Sequence, residues 1–279
     1  MDIQAGIESF YVETEHGRFH VEATGTGQPV LFIHGGTASA REWQWVLPDL
    51  GAHARCLAID RLGCGRSDRS RLGYDRTTIT QALLACADAL GLDRFGVVGQ
   101  SFGGFWAFSL TFAAPERISR LIAVNTTGPM TDEERASRAQ RRPASVLQRP
   151  WAEQSESEQE AVIAGTLREI FVDPSRVPAS YRDVLRWQMQ RADVSQRLGF
   201  ASIDELSRSR FDAIRCPTLV VYGEGDAMGP AGRGRRLAAA IPGASYAPLP
   251  GVGHTCMIED PAGFVAAVAP FLDATAAGG

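Results

Sequence analysis

The sequence predicts an α/β fold with a mainly parallel central sheet, and three observations carry that expectation. Short continuous apolar runs recur along the chain, as in parallel strands buried on both faces. Helix-like segments lie between them, the alternation expected of a sheet covered by helices. Where this alternation lapses, from about Gly128 to Arg210, helical patterns follow one another until a strand pattern resumes at Thr218. An inserted helical unit is the economical explanation of that gap.

The elements follow in order. Ser9 to Val12 and Arg18 to Ala23 read as two strands around a Glu-His-Gly turn. Val30 to Ile33 is an apolar run ending at His34-Gly35-Gly36, and Cys56 to Ile59 is another, ending at Asp60. Arg94 to Val98 leads into Gly99-Gln100-Ser101-Phe102-Gly103, and Leu121 to Val124 and Thr218 to Tyr222 follow. The segments Thr80 to Leu90, Phe102 to Phe112 and Gly232 to Ala240 read as helices. Inside the insertion, Thr131 and Glu134 stand at capping-box spacing before one helix. The segments ESEQEAVIAGTLREIF and ASYRDVLRWQMQR read as two more, with Pro143, Pro150, Pro174 and Pro178 marking the joints. The expected division is residues 1–128 for the first part of the core, 129–210 for a helical lid, and 211–279 for the rest of the core.

Composition narrows the function. With 279 residues, 44% of them hydrophobic, the chain can bury a large core. A net charge of -4 without a basic stripe argues against nucleic-acid binding. No apolar run reaches membrane-spanning length, and the stretch MDIQAGIESFYVETEHG is unlike a secretory signal. Five scattered cysteines with no CxxC or Cys/His metal spacing read as reduced thiols, so a cytoplasmic protein without a metal or other cofactor is expected. A small-molecule substrate is the expected partner, and the composition leaves a homo-oligomer open. The chain contains no lysine. A Ser-Lys dyad, a lysine Schiff base and a phosphate-loop lysine are therefore excluded together.

A serine at a strand-to-helix corner can merely cap the helix, but Ser101 lies in a G-x-S-x-G pentapeptide with a strand pattern before it and a helical one after it. That context is the one in which a serine hydroxyl projects from a strained turn and needs small neighbours two residues away on each side. Here the chain resembles the α/β-hydrolase family, in its cap-bearing, single-domain branch. The resemblance runs along nearly the whole length and rests on His34-Gly35-Gly36, DRLGCGRSD from Asp60, GQSFGG from Gly99, GEGDAM from Gly223 and GVGH ending at His254. It implies a sheet flanked by helices, with the helical cap inserted before the last two strands. The chain order Ser, acid, His is also the family's order.

The resemblance implies Ser101 as nucleophile, His254 as its base and Asp226 as the carboxylate behind the histidine. Glu224 is a rival two residues from Asp226, but the family pattern G-x-x-D after this strand fits Gly223 to Asp226. Asn125 follows the preceding strand, where some relatives keep their acid, and an amide cannot fill that role. Two donors must meet the oxyanion. The backbone N–H of Phe102 supplies one and the turn at Gly36 the other, with the Thr37 hydroxyl as an addition. His34 is expected to support the loop, Asp60 and Arg61 to form a structural turn outside the site, and His53 to lie on the surface. His16 and His20 fall on either side of a turn in a strand pattern, which argues against a metal pair.

A serine at the elbow argues against dehalogenases and epoxide hydrolases, which carry aspartate there in this family. Carbon–carbon bond hydrolases usually carry tryptophan directly after the histidine, where this chain has Thr255. Hydrolysis of an ester, thioester or lactone of a small, largely apolar substrate is the leading expectation. A non-hydrolytic cyclase, lyase or ligand receptor of the same fold is the alternative. Trp151, Phe171, Tyr181, Trp187, Met189 and Phe200 offer apolar surface in the lid, most of it expected to be packing.

Overall fold

A computed structural model describes residues 4–140, 151–193, 206–207, 209–229 and 231–276. Pro143, Pro150 and Phe200 lie outside the described residues. The strands are β1 (Glu8–Thr14), β2 (Gly17–Thr24), β3 (Pro29–Ile33), β4 (Arg55–Ile59), β5 (Phe95–Gln100), β6 (Ile118–Val124), β7 (Thr218–Gly223) and β8 (Ser245–Leu249). They form one eight-stranded sheet in the order β1-β2-β4-β3-β5-β6-β7-β8. The β1–β2 and β2–β4 pairs are antiparallel, and every other neighbouring pair is parallel. The fold is that of an α/β hydrolase. The main helices are α1 (Arg76–Ala89), α2 (Phe102–Ala113), α3 (Asp132–Gln140), α4 (Glu156–Ile170), α5 (Tyr181–Arg191), α6 (Arg233–Ala240) and α7 (Pro261–Ala276).

The central strands carry apolar side chains at successive positions because both faces of the sheet are covered. Leu31, Ile33 and Val97 enter one buried cluster, while Val30, Phe32 and Val98 enter another on the opposite face. In a parallel sheet of this kind the carboxyl ends of the strands share one edge, and ligand sites form in the crevice beyond them. Pairing of Ile33 with Gly99, Gln100 with Val124, Val124 with Val221 and Gly223 with Leu249 brings the loops after β3, β5, β6, β7 and β8 to that edge.

Helices α3, α4 and α5 all lie between β6 and β7. The capping box expected at α3 is present: Glu134 N–H donates to Thr131 Oγ1 at 3.1 Å, and Thr131 N–H donates to Glu134 Oε2 at 3.0 Å. A second box, between Ser155 and Glu158, opens α4. Helix α5 docks on the segment that follows β3. Gln188 Nε2 donates to Ser39 Oγ at 2.9 Å, and Tyr181 Oη donates to Glu42 Oε1 at 3.1 Å. Phe171 and Tyr181 meet edge to face, as do Trp45 and Tyr181. Phe171 and Tyr181 are thus buried packing residues, whereas Trp151 and Trp187 are half-buried.

The Glu42 contact has a measurable consequence. Burial pushes its carboxyl up to about 7, against the opposing pull of the Tyr181 hydroxyl and the Arg61 guanidinium. The unfolded chain ionises this group near 4.5. Between those two values the native state holds the proton more tightly, so stability from this site falls as pH rises. Each unit is worth about 1.4 kcal/mol. Glu42→Gln keeps an oxygen for Tyr181 and removes the titration. Its urea stability relative to wild type is expected to improve progressively from pH 4.5 to 7 and then level off. Parallel curves for the two proteins would show that Glu42 stays ionised in the fold.

Candidate active site

Ser101 occupies the corner between β5 and α2 with φ 52° and ψ -117°, a conformation that costs a non-glycine residue energy. Its surroundings hold it there. The Ser101 N–H donates to Val124 O at 2.9 Å, and Ser101 O accepts from Gly104 N–H at 3.0 Å and from Thr126 Oγ1 at 2.6 Å. A methyl group on Gly103 would collide with the carbonyl oxygen of Ile33, so only glycine lets α2 lie this close to β3. Ser101 is partly accessible, whereas its neighbour Phe102 is buried.

His254 and Asp226 come together from different loops. His254 Nδ1 lies 2.9 Å from Asp226 Oδ2. The same carboxylate accepts from Asn125 Nδ2 at 3.0 Å and, through Oδ1, from Met228 N–H at 2.9 Å. Burial alone would raise the Asp226 carboxyl. The hydrogen bond and charge of His254, with the Asn125 and Met228 donors, outweigh it and hold the group below the usual carboxylate value. Glu224 is exposed and turns to Arg235 instead, at 3.1 Å.

Two residues to which the sequence reading gave no role in the site tie the loops together. Gln100, directly before Ser101, donates through Nε2 to His254 O at 3.0 Å inside the protein. This bond links the serine corner to the histidine loop. Asn125, dismissed as an acid, is buried at φ 40°, and its Oδ1 accepts the Gly223 N–H at 3.0 Å while its Nδ2 holds Asp226. It fixes both ends of the acid loop. A polar residue at the end of a buried strand was the available signal in each case.

The loop after β3 is held from behind. His34 Nδ1 donates to Gly35 O at 2.8 Å, and an Arg61 guanidinium N–H donates to the same oxygen at 2.8 Å. In a trans peptide the carbonyl of Gly35 and the N–H of Gly36 point in opposite directions. Two donors on the carbonyl therefore set the direction of the Gly36 amide. His34 Nε2 accepts from Arg61 N–H at 3.0 Å, so both ring nitrogens are used by a neutral imidazole. Burial and the Arg61 guanidinium push its pKa down to about 3. Arg61 thus belongs to the support of the site rather than to a remote turn, and its guanidinium lies 5.2 Å from the centre of the Phe102 ring. Thr37, at φ 57°, donates its hydroxyl to Gly36 O at 2.7 Å, which commits that proton within the loop.

Asp60 is the hub of a separate buried network. It accepts from Ala40 N–H at 2.6 Å and Arg66 N–H at 2.8 Å, and lies 2.9 Å from His20 Nδ1. His20 uses its other nitrogen on Ser9 Oγ at 2.8 Å, which leaves it no role as a metal ligand. His53 is half-buried and meets Asp273 at 3.0 Å. The five cysteines are free thiols. Among the described residues, no group of three or more His, Cys, Asp or Glu side chains is arranged to hold a metal ion, and no helix is long and apolar enough to cross a membrane.

A family profile described as "alpha/beta hydrolase fold" matches residues 28–261. The chain is similar to 2-hydroxymuconate semialdehyde hydrolase of Pseudomonas sp. (strain CF600), 34% identical over 122 residues, which are 41% of this chain and 43% of that protein. The match thus spans less than half of that relative. A longer match, 25% identical over 277 residues, covers 96% of this chain and 88% of 2-hydroxy-6-oxo-6-(2'-aminophenyl)hexa-2,4-dienoic acid hydrolase of Metapseudomonas resinovorans. Among solved structures, a thermophilic esterase from Thermogutta terrifontis superposes with a TM-score of 0.79 at 23% identity, covering 96% of this chain and 99% of that one. At that identity the likeness is one of fold.

Proposed function

This chain belongs to the α/β-hydrolase fold family, and from that premise we propose that it is a serine hydrolase working through Ser101, His254 and Asp226. The observation that carries the reading is the 2.9 Å contact between His254 Nδ1 and Asp226, on a loop bonded by Gln100 to the strained Ser101 corner. In this reading His254 takes the Ser101 proton as the hydroxyl oxygen attacks a carbonyl carbon. Asp226 holds the imidazole in the productive tautomer and stabilises the cation that forms. The backbone amides of Phe102 and Gly36 receive the oxyanion. The leaving group takes the proton back from His254, and a water molecule then releases the acyl group by the same steps in reverse roles. Residues 129–210 act as the lid over this site.

The proposed substrate is an ester, thioester or lactone of a small, largely apolar molecule. A second reading, carbon–carbon bond hydrolysis, draws support from the similarity to 2-hydroxymuconate semialdehyde hydrolase and to 2-hydroxy-6-oxo-6-(2'-aminophenyl)hexa-2,4-dienoic acid hydrolase. Thr255 in place of the tryptophan usual after the histidine in that branch weighs against it. A panel of p-nitrophenyl esters and lactones of graded chain length, run beside 2-hydroxymuconate semialdehyde, separates the two by which class is turned over.

The acyl-enzyme itself is tested by covalent capture. A fluorophosphonate probe is expected to add one adduct on Ser101, read by intact-protein mass spectrometry. His254→Ala should abolish labelling at neutral pH, because no lysine exists to replace the base. A folded wild-type chain with no mass shift after long exposure to probes of several sizes would sink the reading and favour the cyclase or receptor alternative.

A further inference from the structure

The lid and the histidine loop share one buried carboxylate. Glu259 is 2% exposed and lies on the short helical turn Cys256–Glu259 that follows His254. Its Oε2 accepts the Gly253 N–H at 2.7 Å and the Val172 N–H at 3.3 Å, and its Oε1 accepts the Asp173 N–H at 2.8 Å. Gly253 is the residue before His254, while Val172 and Asp173 are where the chain leaves α4 of the lid. Three amides from two segments thus converge on one charge, the arrangement that makes a buried carboxylate tolerable.

A second set of contacts joins the same segments. The carbonyl of Ile170, the last residue of α4, accepts the N–H groups of His254 at 2.7 Å and Thr255 at 3.4 Å. Gly253 is in close contact as well: a Cβ there would stand 2.6 Å from Ile170 O and 3.0 Å from Val172 N. The backbone of His254 is therefore held by the lid on one side, through Ile170, and by Glu259 on the other, through Gly253. Nothing in the chemistry proposed above uses Glu259.

We propose that Glu259 is a positioning residue that clamps the lid exit, residues 170–173, to the His254 loop, so that the imidazole is correctly placed only while the lid is docked. The proposal rests on the triad reading. It adds that docking of the lid and arming of the base are one event. Displacing the exit segment removes the Ile170 acceptor from His254 N–H and two of the three donors from Glu259, and the histidine loop loses its support. Small displacements of a catalytic group are costly, since ~1 Å of misplacement can remove ~10²-fold in rate.

Glu259→Gln tests this in the full chain. Glutamine keeps the size but offers one acceptor oxygen, and its NH₂ faces an amide donor. Hydrogen exchange should show Gly253, Val172 and Asp173 losing protection together. The kcat for an activated ester should fall ~10-fold or more with KM nearly unchanged, the acid limb of the kcat–pH profile should move, and the rate of Ser101 labelling by a fluorophosphonate should drop in step. Glu259→Asp, which restores the charge but not the reach, should recover part of that rate. Deprotection of the three amides with kcat, labelling rate and pH profile unchanged would reduce Glu259 to a structural tie and overturn the proposal. If neither variant folds, native-state exchange in wild type decides: residues 170–173 and 253–255 must open as one unit in dilute denaturant, and separate opening overturns the clamp. A wild type that resists labelling altogether would refute the triad reading, while the exchange result would still report on the clamp.

Discussion

Ser101→Ala is expected to fold like the wild type and to lose turnover of an activated ester by ~10³-fold or more, with binding and oxyanion stabilisation left to supply the residue of rate. The expectation of normal folding comes from the geometry. The contacts that fix the corner are made by backbone atoms of Ser101, with Val124, Gly104 and the Thr126 hydroxyl, and alanine keeps all of them. The backbone at φ 52° and ψ -117° is as unfavourable for alanine as for serine, so the melting temperature should barely move. Ser101→Gly provides the contrast: glycine adopts this conformation without a Cβ clash, and it should be the more stable of the two inactive variants by about 1 kcal/mol. A Ser101→Ala protein retaining a tenth of wild-type activity would remove Ser101 from the mechanism. An inactive but partly unfolded one would say nothing about nucleophilicity, so thermal melts and circular dichroism accompany the kinetics.

The parts of the molecule legible in the sequence are those set by local rules. Buried parallel strands read as continuous apolar runs because both faces are covered, so β3, β4 and β7 are legible to within one residue of their observed limits, while β6 begins three residues before the run Leu121 to Val124 that marks it. The serine corner was visible because its steric demands fall on adjacent residues: Gly99 and Gly103 stand where only glycine fits. The supports of the site were harder to read because each joins residues far apart in the chain. Gln100 meets His254 across 154 positions, and Asn125 meets Asp226 across 101. No spacing rule relates such pairs, and a lone Gln or Asn in a sequence carries no mark of its partner. Arg61 shows the opposite problem. It sits in a recognisable turn, and that recognition concealed its hydrogen bond to Gly35 O, which is 26 residues away and behind the proposed oxyanion donor. Resemblance names the groups proposed to touch a substrate, and the folded arrangement adds the residues that hold them.

Asp226→Asn is expected to be the most damaging conservative change in the protein, with a loss in kcat of ~10⁴-fold, the scale of the same replacement in the worked serine-protease triad. The surroundings of Asp226 explain why an amide fails there. Oδ2 receives both His254 Nδ1 and Asn125 Nδ2, and Oδ1 receives the Met228 N–H. An asparagine with its nitrogen in the Oδ2 position opposes the Asn125 donor and drives His254 into the tautomer that cannot accept the serine proton. With its nitrogen in the Oδ1 position it opposes the Met228 N–H instead. Either way the negative charge that stabilises the imidazolium is gone. Because the carboxyl of Asp226 is held below the usual carboxylate value, it stays ionised as pH falls through the working range, so the acid limb of the wild-type rate profile belongs to a different group. Glu224→Gln supplies the comparison. Glu224 is exposed and engages Arg235, a surface pair worth about 0–1 kcal/mol at most, so its replacement should leave kcat within about 2-fold of wild type. Single-turnover acylation of both variants with an activated ester measures the two losses directly. If Glu224→Gln were the more damaging change, the acid would have to be Glu224, and the 2.9 Å contact between Asp226 and His254 would be a structural bond with no part in catalysis.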